Sequence, residues 1–190
     1  MATVVVQAVT SLDGYIALPD DTVGSIHDWY FHGDVEVEQF HVSAASADYL
    51  RHTLSQVRCL IIGRHLFDFV NGWDGQPPAG DHVFVVTHEA PTDWGHDDAP
   101  YTFCTDGIED AVRRAQEYAG DGVVTVSAGE VAGQIVAAGL ADEVAIDLAP
   151  VFLGQGKKYL GSQTDEIVLD DPSVVVQGER VLHLRYPLRR

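Results

Sequence analysis

Four short stretches of this sequence combine polar or charged side chains with small residues at places where the chain must turn. Ser127-Ala128-Gly129-Glu130 follows the apolar β-branched run Val123-Val124-Thr125-Val126. A strand that turns through small residues into a helix start leaves backbone N–H groups directed outward, and such a cluster suits a phosphate. Ser127 stands where an N-cap would stand, with Glu130 as its capping-box partner. Arg64 and His65 come directly after the buried run Val57–Gly63 and open a helix. Cationic groups are poorly placed there for the helix dipole but well placed to pair with an anion held at that end. The plain alternative is that both are solvated surface residues.

Ser11-Leu12-Asp13-Gly14 ends the first apolar run. Asp13 reads two ways. As a turn residue it bonds its own backbone. As a functional residue it is a carboxylate at the end of a central strand, where α/β sheets bind ligands. The fourth stretch crowds His27, Asp28, Trp29, Tyr30, Phe31, His32 and Asp34 together. Histidines and carboxylates invite a metal, but the spacing fits no compact ligand set, so no metal site is expected. Gly24 to Gln39 reads instead as a loop covering a ligand, with Asp28 and Trp29 as substrate-side candidates; an ordinary solvated loop is the alternative.

The elements that would position these groups alternate along the chain. Thr3 to Val9 is a β-branched strand, and Ala44 to Gln56 a helix with Ala47, Leu50 and Leu54 on one face. Val57 to Gly63 is a buried strand, His82 to Thr87 another, and Tyr101 to Cys104 a short one. Asp106 with Glu109 makes a capping box for an amphipathic helix carrying Ile108, Ala111, Val112, Ala115 and Tyr118. Val123, Val124 and Val126 read as a strand buried on both faces. A short helix with Ile135 and Val136 ends at Gly139, and Val144, Ile146 and Leu148 alternate into the next strand. Ile167–Val176 and Arg180–Tyr186 form an antiparallel hairpin around Gln177-Gly178. The pattern predicts a three-layer α/β/α fold with a mixed, mostly parallel sheet ending in that hairpin, over residues 1–190 as a single domain.

Composition narrows the function. The net charge is −18, from 29 acidic against 11 basic residues, so nucleic acid and anionic membranes are disfavoured as partners. Any anionic cofactor must then be held by local basic groups and backbone N–H. No stretch of about 18 apolar residues exists, no signal peptide is apparent, and Cys59 and Cys104 match no C-x-x-C pattern. A cytoplasmic protein with reduced thiols is expected. The absence of G-x-G-x-x-G, G-x-x-x-x-G-K-[ST] and G-x-S-x-G argues against a Rossmann domain, a P-loop and the usual hydrolase elbow.

In order, Ser11-Leu12-Asp13-Gly14-Tyr15-Ile16-Ala17, Gly63-Arg64-His65-Leu66-Phe67, Val83–Thr87, and Gly139-Leu140-Ala141-Asp142-Glu143 leading to Pro150–Gly156 resemble the dihydrofolate reductase-like superfamily. The closest likeness is to the C-terminal reductase domain of the bifunctional riboflavin-biosynthesis deaminase/reductase. The resemblance implies bound NADPH and hydride transfer to a small heterocyclic or carbonyl/imine metabolite, similar to 5-amino-6-(5-phosphoribosylamino)uracil reduction. It implies that Gly63, Arg64 and His65 hold adenosine phosphates and that Thr87 and His88 stand beside the adenine ribose. Ser127, Ala128 and Gly129, with Glu130 and Val131 following, lie under the pyrophosphate. Ala8 and Ile16 line the nicotinamide, and Ser11 and Asp13 face substrate, with Asp13 the catalytic candidate and Asp28 and Asp48 weaker ones. The expected partner is a small-molecule substrate, with a homodimer left open. Ser127-Ala128 replaces the family's Gly-Gly and Val126 stands where riboflavin-pathway enzymes often carry Glu. Two other readings stay open. A pteridine or folate reductase needs a buried carboxylate on the first helix, where Asp48 is the nearby candidate. A nucleotide-binding module without catalysis is the other.

Overall fold

The structure, a computed structural model, describes residues 1–189. Its elements in order are β1 (Thr3–Thr10), β2 (Tyr15–Ala17), a 3-10 segment (Gly24–Phe31), β3 (Val35–Val37), β4 (Phe40–Val42), α1 (Ala44–Leu54), β5 (Val57–Gly63) and α2 (Arg64–Phe69). A 3-10 segment (Asn71–Gly75), β6 (His82–Val86), β7 (Tyr101–Cys104), α3 (Ile108–Ala119), β8 (Val123–Ser127) and α4 (Glu130–Ala137) follow. The chain finishes with β9 (Glu143–Leu148), β10 (Lys157–Lys158), β11 (Val174–Gln177) and β12 (Leu182–Pro187).

Eight strands make one sheet in the order β11-β12-β9-β1-β8-β5-β6-β7. β9, β1, β8, β5, β6 and β7 run parallel, and β12 and β11 add antiparallel at one edge. This is the expected mixed, mostly parallel α/β arrangement. The order also puts the C-terminal ends of β1, β8 and β5 side by side, although β8 is far from both in sequence.

Register decides what each face buries. Val4, Val6, Val124, Val126, Cys59 and Ile61 share one face and pack under α3 and α4 through Ala111, Ala115, Ala132 and Ile135. On the other face two separate clusters form. One joins α1 to Val9 and Val181 through Ala47, Tyr49 and Leu50. The second joins Phe67 of α2 to Leu60, Ile62, Val83 and Val85. Between them lie Gln7 of β1 and Thr125 and Ser127 of β8, in register and only half-buried. A half-buried polar strip of central sheet therefore separates the two clusters. Val124 and Val126 are buried while Val123 and Thr125 are not, so the reading of this strand as buried on both faces is corrected.

Other local expectations are also corrected. The stretch read as a loop over Gly24–Gln39 holds the 3-10 segment, whose Ile26 and Trp29 are drawn into the α1 cluster, and β3, which pairs with β4 just beyond it. Neither expected capping box forms: Gly107 and Gly129 are the N-caps of α3 and α4, both with positive φ, and neither helix has a side-chain cap. The α1 helix is capped by Ser43, whose hydroxyl accepts the Ser46 N–H at 3.3 Å. The expected strand from Ile167 is confined to β11, with the preceding residues irregular. No described helix is long and apolar enough to cross a membrane.

The antiparallel edge is tied to the core by a polar chain. Asp147 of β9 and His183 of β12 are register partners and are both buried. His183 Nδ1–H donates to Asp147 Oδ1 at 2.5 Å, and His183 Nε2 lies 2.9 Å from Ser46 Oγ on α1. Ser43 donates to Ser46 Oγ at 3.1 Å, which leaves the Ser46 proton for His183. The Tyr49 ring stacks on the imidazole at 4.3 Å and Trp29 meets it edge-on at 5.2 Å. Asp147 breaks the expected apolar alternation of β9 because this partner is waiting. Removing one partner of a buried pair leaves the other desolvated and unpaired, at a cost of about 3–5 kcal/mol. His183→Leu should lose about that much in denaturant unfolding, and adding Asp147→Leu should recover part of it.

Candidate functional site

The half-buried polar strip leads to the C-terminal ends of β1, β8 and β5. At the end of β8 the chain turns through Gly129, whose φ of +125° and ψ of −155° suit only glycine. A Cβ built on Gly129 would meet no heavy atom within 4 Å, so a small open well stands above it. The N–H groups of Ala128 and Gly129, expected to point into this space, are already used. Ala128 donates to Gln7 O at 3.3 Å and Gly129 to Tyr159 O at 2.8 Å. The first intrahelical bond of α4 is Gly133 N–H to Gly129 O, so by helix geometry the N–H groups of Glu130, Val131 and Ala132 are the available donors at this end. The set of available N–H groups is thus displaced two residues along the chain. Glu130's carboxylate does not return to Ser127 but accepts the Ser162 hydroxyl at 2.7 Å.

Around this well the proposed cofactor residues fall as follows. Gly63, at the end of β5, packs on Val131: a Cβ there would lie 3.0 Å from Val131 Cγ2. Close approach of β5 to α4 is the reason for glycine at that position. Arg64 and His65 diverge rather than forming one cationic pair. Arg64 turns toward the loop after β6, donating to Asp68 Oδ1 at 2.7 Å and to Glu89 O at 2.9 Å. His65 turns the other way and meets Asp21 at 2.9 Å. Thr87 folds its hydroxyl onto its own loop, donating to Glu89 O at 2.8 Å, and His88 is exposed. Ala8 and Ile16 are half-buried.

On the substrate side, Ser11 is buried and accepts the Tyr15 N–H at 2.9 Å. Asp13 is exposed, and both its oxygens are taken: Leu153 N–H donates at 3.1 Å and Gly154 N–H at 2.7 Å. The Ser11 hydroxyl first, and then the Gly154 and Leu153 N–H groups, hold the Asp13 carboxyl below the ordinary aspartate range. It is therefore ionised at neutral pH, a poor proton donor and a good tether for the loop from Pro150 to Gly156. The turn reading and the strand-end reading meet in one residue, because the turn it closes is also the end of β1.

Three weaker candidates lie elsewhere. Trp29 is fully buried against Tyr30 and His183, so it is a core residue rather than a substrate-facing one. Asp28 is half-buried, and its carbonyl takes the His32 ring nitrogen at 2.8 Å. Asp48 faces solvent, on the side of α1 opposite Ala47 and Leu50. The buried carboxylate that a folate reductase would need on this helix is absent at that position. Gln7 and Thr125 were missed. Gln7 breaks the β-branched run of the first strand, and Thr125 is the hydroxyl-bearing member of the run at 123–126.

Three other features are excluded on geometry. Ser46, His183 and Asp147 have the spacing of a nucleophilic relay, but Ser46 and His183 have no exposed surface, so no substrate reaches them. The Cys59 thiol is pushed up to about 12 by burial, which makes it inert. A surface hollow beside Trp94, His96 and Tyr101, and another beside Arg58, Gly122 and Arg185 at the N-terminal ends of β1, β5 and β8, lie away from the C-terminal ends of those strands. No described group of three His, Cys, Asp or Glu residues is placed to hold a metal.

The family model of the RibD C-terminal domain matches residues 2–183. The chain belongs to that family. A putative riboflavin biosynthesis protein from Shewanella sp. PV-4 is similar over the full length of both chains, with 21% identity and a TM-score of 0.75. Thermotoga maritima diaminohydroxyphosphoribosylaminopyrimidine deaminase/5-amino-6-(5-phosphoribosylamino)uracil reductase is 12% identical with a TM-score of 0.64. The match takes in 99% of this chain but 57% of that one. Dihydrofolate reductase from Enterococcus faecalis, complexed with NADP(H) and RAB-propyl, is 15% identical with a TM-score of 0.56 over 99% and 97% of the two chains. Identities this low speak for the fold. No curated protein matches the sequence. At the C-terminal strand ends this chain offers a ligand the half-buried polar strip of Gln7, Thr125 and Ser127 and the open space over Gly129.

The Asp13 tether makes a pH-dependent expectation. A carboxyl whose folded pKa is depressed contributes stability above its unfolded pKa, and that stability is lost as pH falls through the folded value. Asp13→Asn keeps a turn-forming side chain but replaces one carboxylate acceptor. Its melting temperature should fall below the parent's at pH 7. The gap should close as both are taken below the ordinary aspartate value of 3.8.

Proposed function

We propose that this chain is an NADPH-dependent oxidoreductase that reduces a C=O or C=N bond of a small heterocyclic metabolite. We place it in the cytoplasm and treat residues 1–190 as one reductase domain. The observation that carries the reading is the open well over Gly129 at the central strand ends, beside a half-buried polar groove. Membership of the RibD C-terminal domain family supports it, as does the likeness in fold to a reductase complexed with NADP(H).

The residues present fit a dinucleotide. Gly129 leaves room for phosphate oxygens, and the N–H groups of Glu130, Val131 and Ala132 supply donors at the positive end of α4. Arg64 and His65 flank the well, and Thr87 and His88 would border the adenosine half. Ala8 and Ile16 would form the apolar wall of the nicotinamide, next to Gln7 and Ser127 on the groove floor. When bound, NADPH supplies the hydride. The chain supplies orientation, and Ser11 and Asp13 do this by fixing the loop that closes the substrate end. Asp13, being ionised, orients rather than protonates. The proton that completes the reduced C–O or C–N group comes from water reaching the open groove. The pyrimidine of riboflavin biosynthesis is the first substrate to try.

Two measurements test this. NADPH should raise the melting temperature more than NADH at equal concentration, because ligand at 100 times its Kd adds about 2.7 kcal/mol to stability. Equal or absent shifts would contradict the reading. Gly129→Val forces a side chain onto a glycine-only backbone and into the well, so the apo protein should be destabilised by about 1–3 kcal/mol. NADPH affinity should fall by about 10-fold or more beyond that, about 1.4 kcal/mol. A destabilised variant that still binds NADPH as the parent does would show that the turn is structural only.

A further inference from the structure

The well over Gly129 is ringed by a closed circuit of contacts. Gly129 N–H is held by Tyr159 O, and Tyr159 N–H by Gly14 O at 3.2 Å. Just before Tyr159, β10 pairs antiparallel with β2, so Lys157 lies opposite Ala17. The loop after β2 then carries Asp21, whose Oδ1 accepts from His65 Nε2 at 2.9 Å and lies 3.4 Å from Lys157 Nζ. His65 follows Gly63 by two residues, and Gly63 packs on Val131 at the start of α4. β2 continues from β1 and His65 from β5, while β8 lies between them in the sheet. The Asp21–His65 contact therefore spans the end of β8.

The loop is built to aim this carboxylate. Leu18 N–H donates to Thr22 O at 2.8 Å and Asp21 N–H to Leu18 O at 3.0 Å, closing a tight turn with Asp21 at φ +70°. Asp20, its neighbour, faces another way, accepting the Thr22 hydroxyl at 2.7 Å. Two positively charged or protonatable groups from separate elements thus converge on one oxygen of the half-buried Asp21 carboxylate. In a chain of net charge −18, cations near that well are scarce, and these two are already occupied. The His65 hydrogen bond, and then the charges of His65 and Lys157, hold the Asp21 carboxyl below its ordinary range, so it is an anion at neutral pH. Exposed pairs of this kind contribute little to stability, so the contact gives way readily to a better anion.

We propose that Asp21 is an internal phosphate mimic: it occupies His65 and Lys157 in the ligand-free protein and must be displaced when a phosphate group of the cofactor enters the well. Lys157, on β10, then becomes a cofactor-phosphate ligand. The inference rests on the NADPH reading above and adds an autoinhibitory contact to it.

The test is NADPH affinity, measured by titration with the full chain, for the parent, Asp21→Asn, Asp20→Asn and Asp21→Asn/Lys157→Ala. Asn tolerates the left-handed backbone at position 21, so the variant keeps the turn. The apo melting temperature checks this. Asp21→Asn should bind NADPH about 5-fold to 10-fold more tightly than the parent. Asp20→Asn, the same charge change one residue away, should stay within about 2-fold, and adding Lys157→Ala should abolish the gain. If Asp21→Asn binds no more tightly than the parent, the mimic is overturned while the cofactor reading stands. If Asp20→Asn gains equally, net charge is the cause and the mimic is again overturned. If the parent and all variants ignore NADPH, the cofactor reading fails and the inference falls with it.

Discussion

Parallel pairing of β8 with both β1 and β5 is the constraint on which the rest of this structure depends. It inserts a strand formed late in the sequence between two formed early, and three chain ends that could not otherwise meet arrive at one edge. The register also fixes which side chains face which layer. Val124 and Val126 pack under α3 and α4, so Thr125 and Ser127 must face the other way, beside Gln7. Since α1 and α2 each serve a separate cluster there, the polar strip belongs to neither and stays half-buried. Groove and well are thus consequences of pairing, not of any dedicated loop.

The antiparallel edge supports that arrangement from a distance. The Asp147–His183–Ser46 chain joins β9, β12 and α1, and β9 is the partner of β1 on its other side. A buried polar chain of this type need not add much net stability, but it favours the register that pairs His183 with both Asp147 Oδ1 and Ser46. Its protected position explains why a serine, histidine and aspartate at relay distances serve packing here. The same chemistry at an exposed strand end would read very differently. Charge is arranged by the same logic: the acidic excess lies on the surface, and the few cations near the strand ends are each held by a carboxylate or a carbonyl.

Much of the fold was legible in the sequence because its signals are local. The β-branched runs of β1, β5, β6 and β8 and the amphipathic spacing of α3 are properties of ten residues or fewer at a time. Gly139 ends α4 at φ +69°, as its type suggests. What failed depended on distant partners. Glu130 was read against Ser127 three residues away, but its carboxylate found Ser162. Trp29 was read as a loop aromatic, but His183, more than a hundred residues on, gives it a core to join. The site was half legible. Small residues at Ser127–Gly129 and the basic pair after Gly63 marked the right strand ends, whereas the use of their N–H groups and the divergence of Arg64 from His65 follow from neighbours that no short window contains.

The central claim is that a dinucleotide lies over the end of β8, between the ends of β1 and β5. Backbone amide shifts of the isotope-labelled protein, followed while NADPH is added, test it most directly. The account predicts that the largest changes fall on Gly63, His65, Gly129, Glu130 and Val131, with smaller ones at Gln7 and Ser127 along the groove. Changes centred instead on the hollow at Trp94, His96 and Tyr101, or on the opposite edge of the sheet near Arg58 and Gly122, would contradict it.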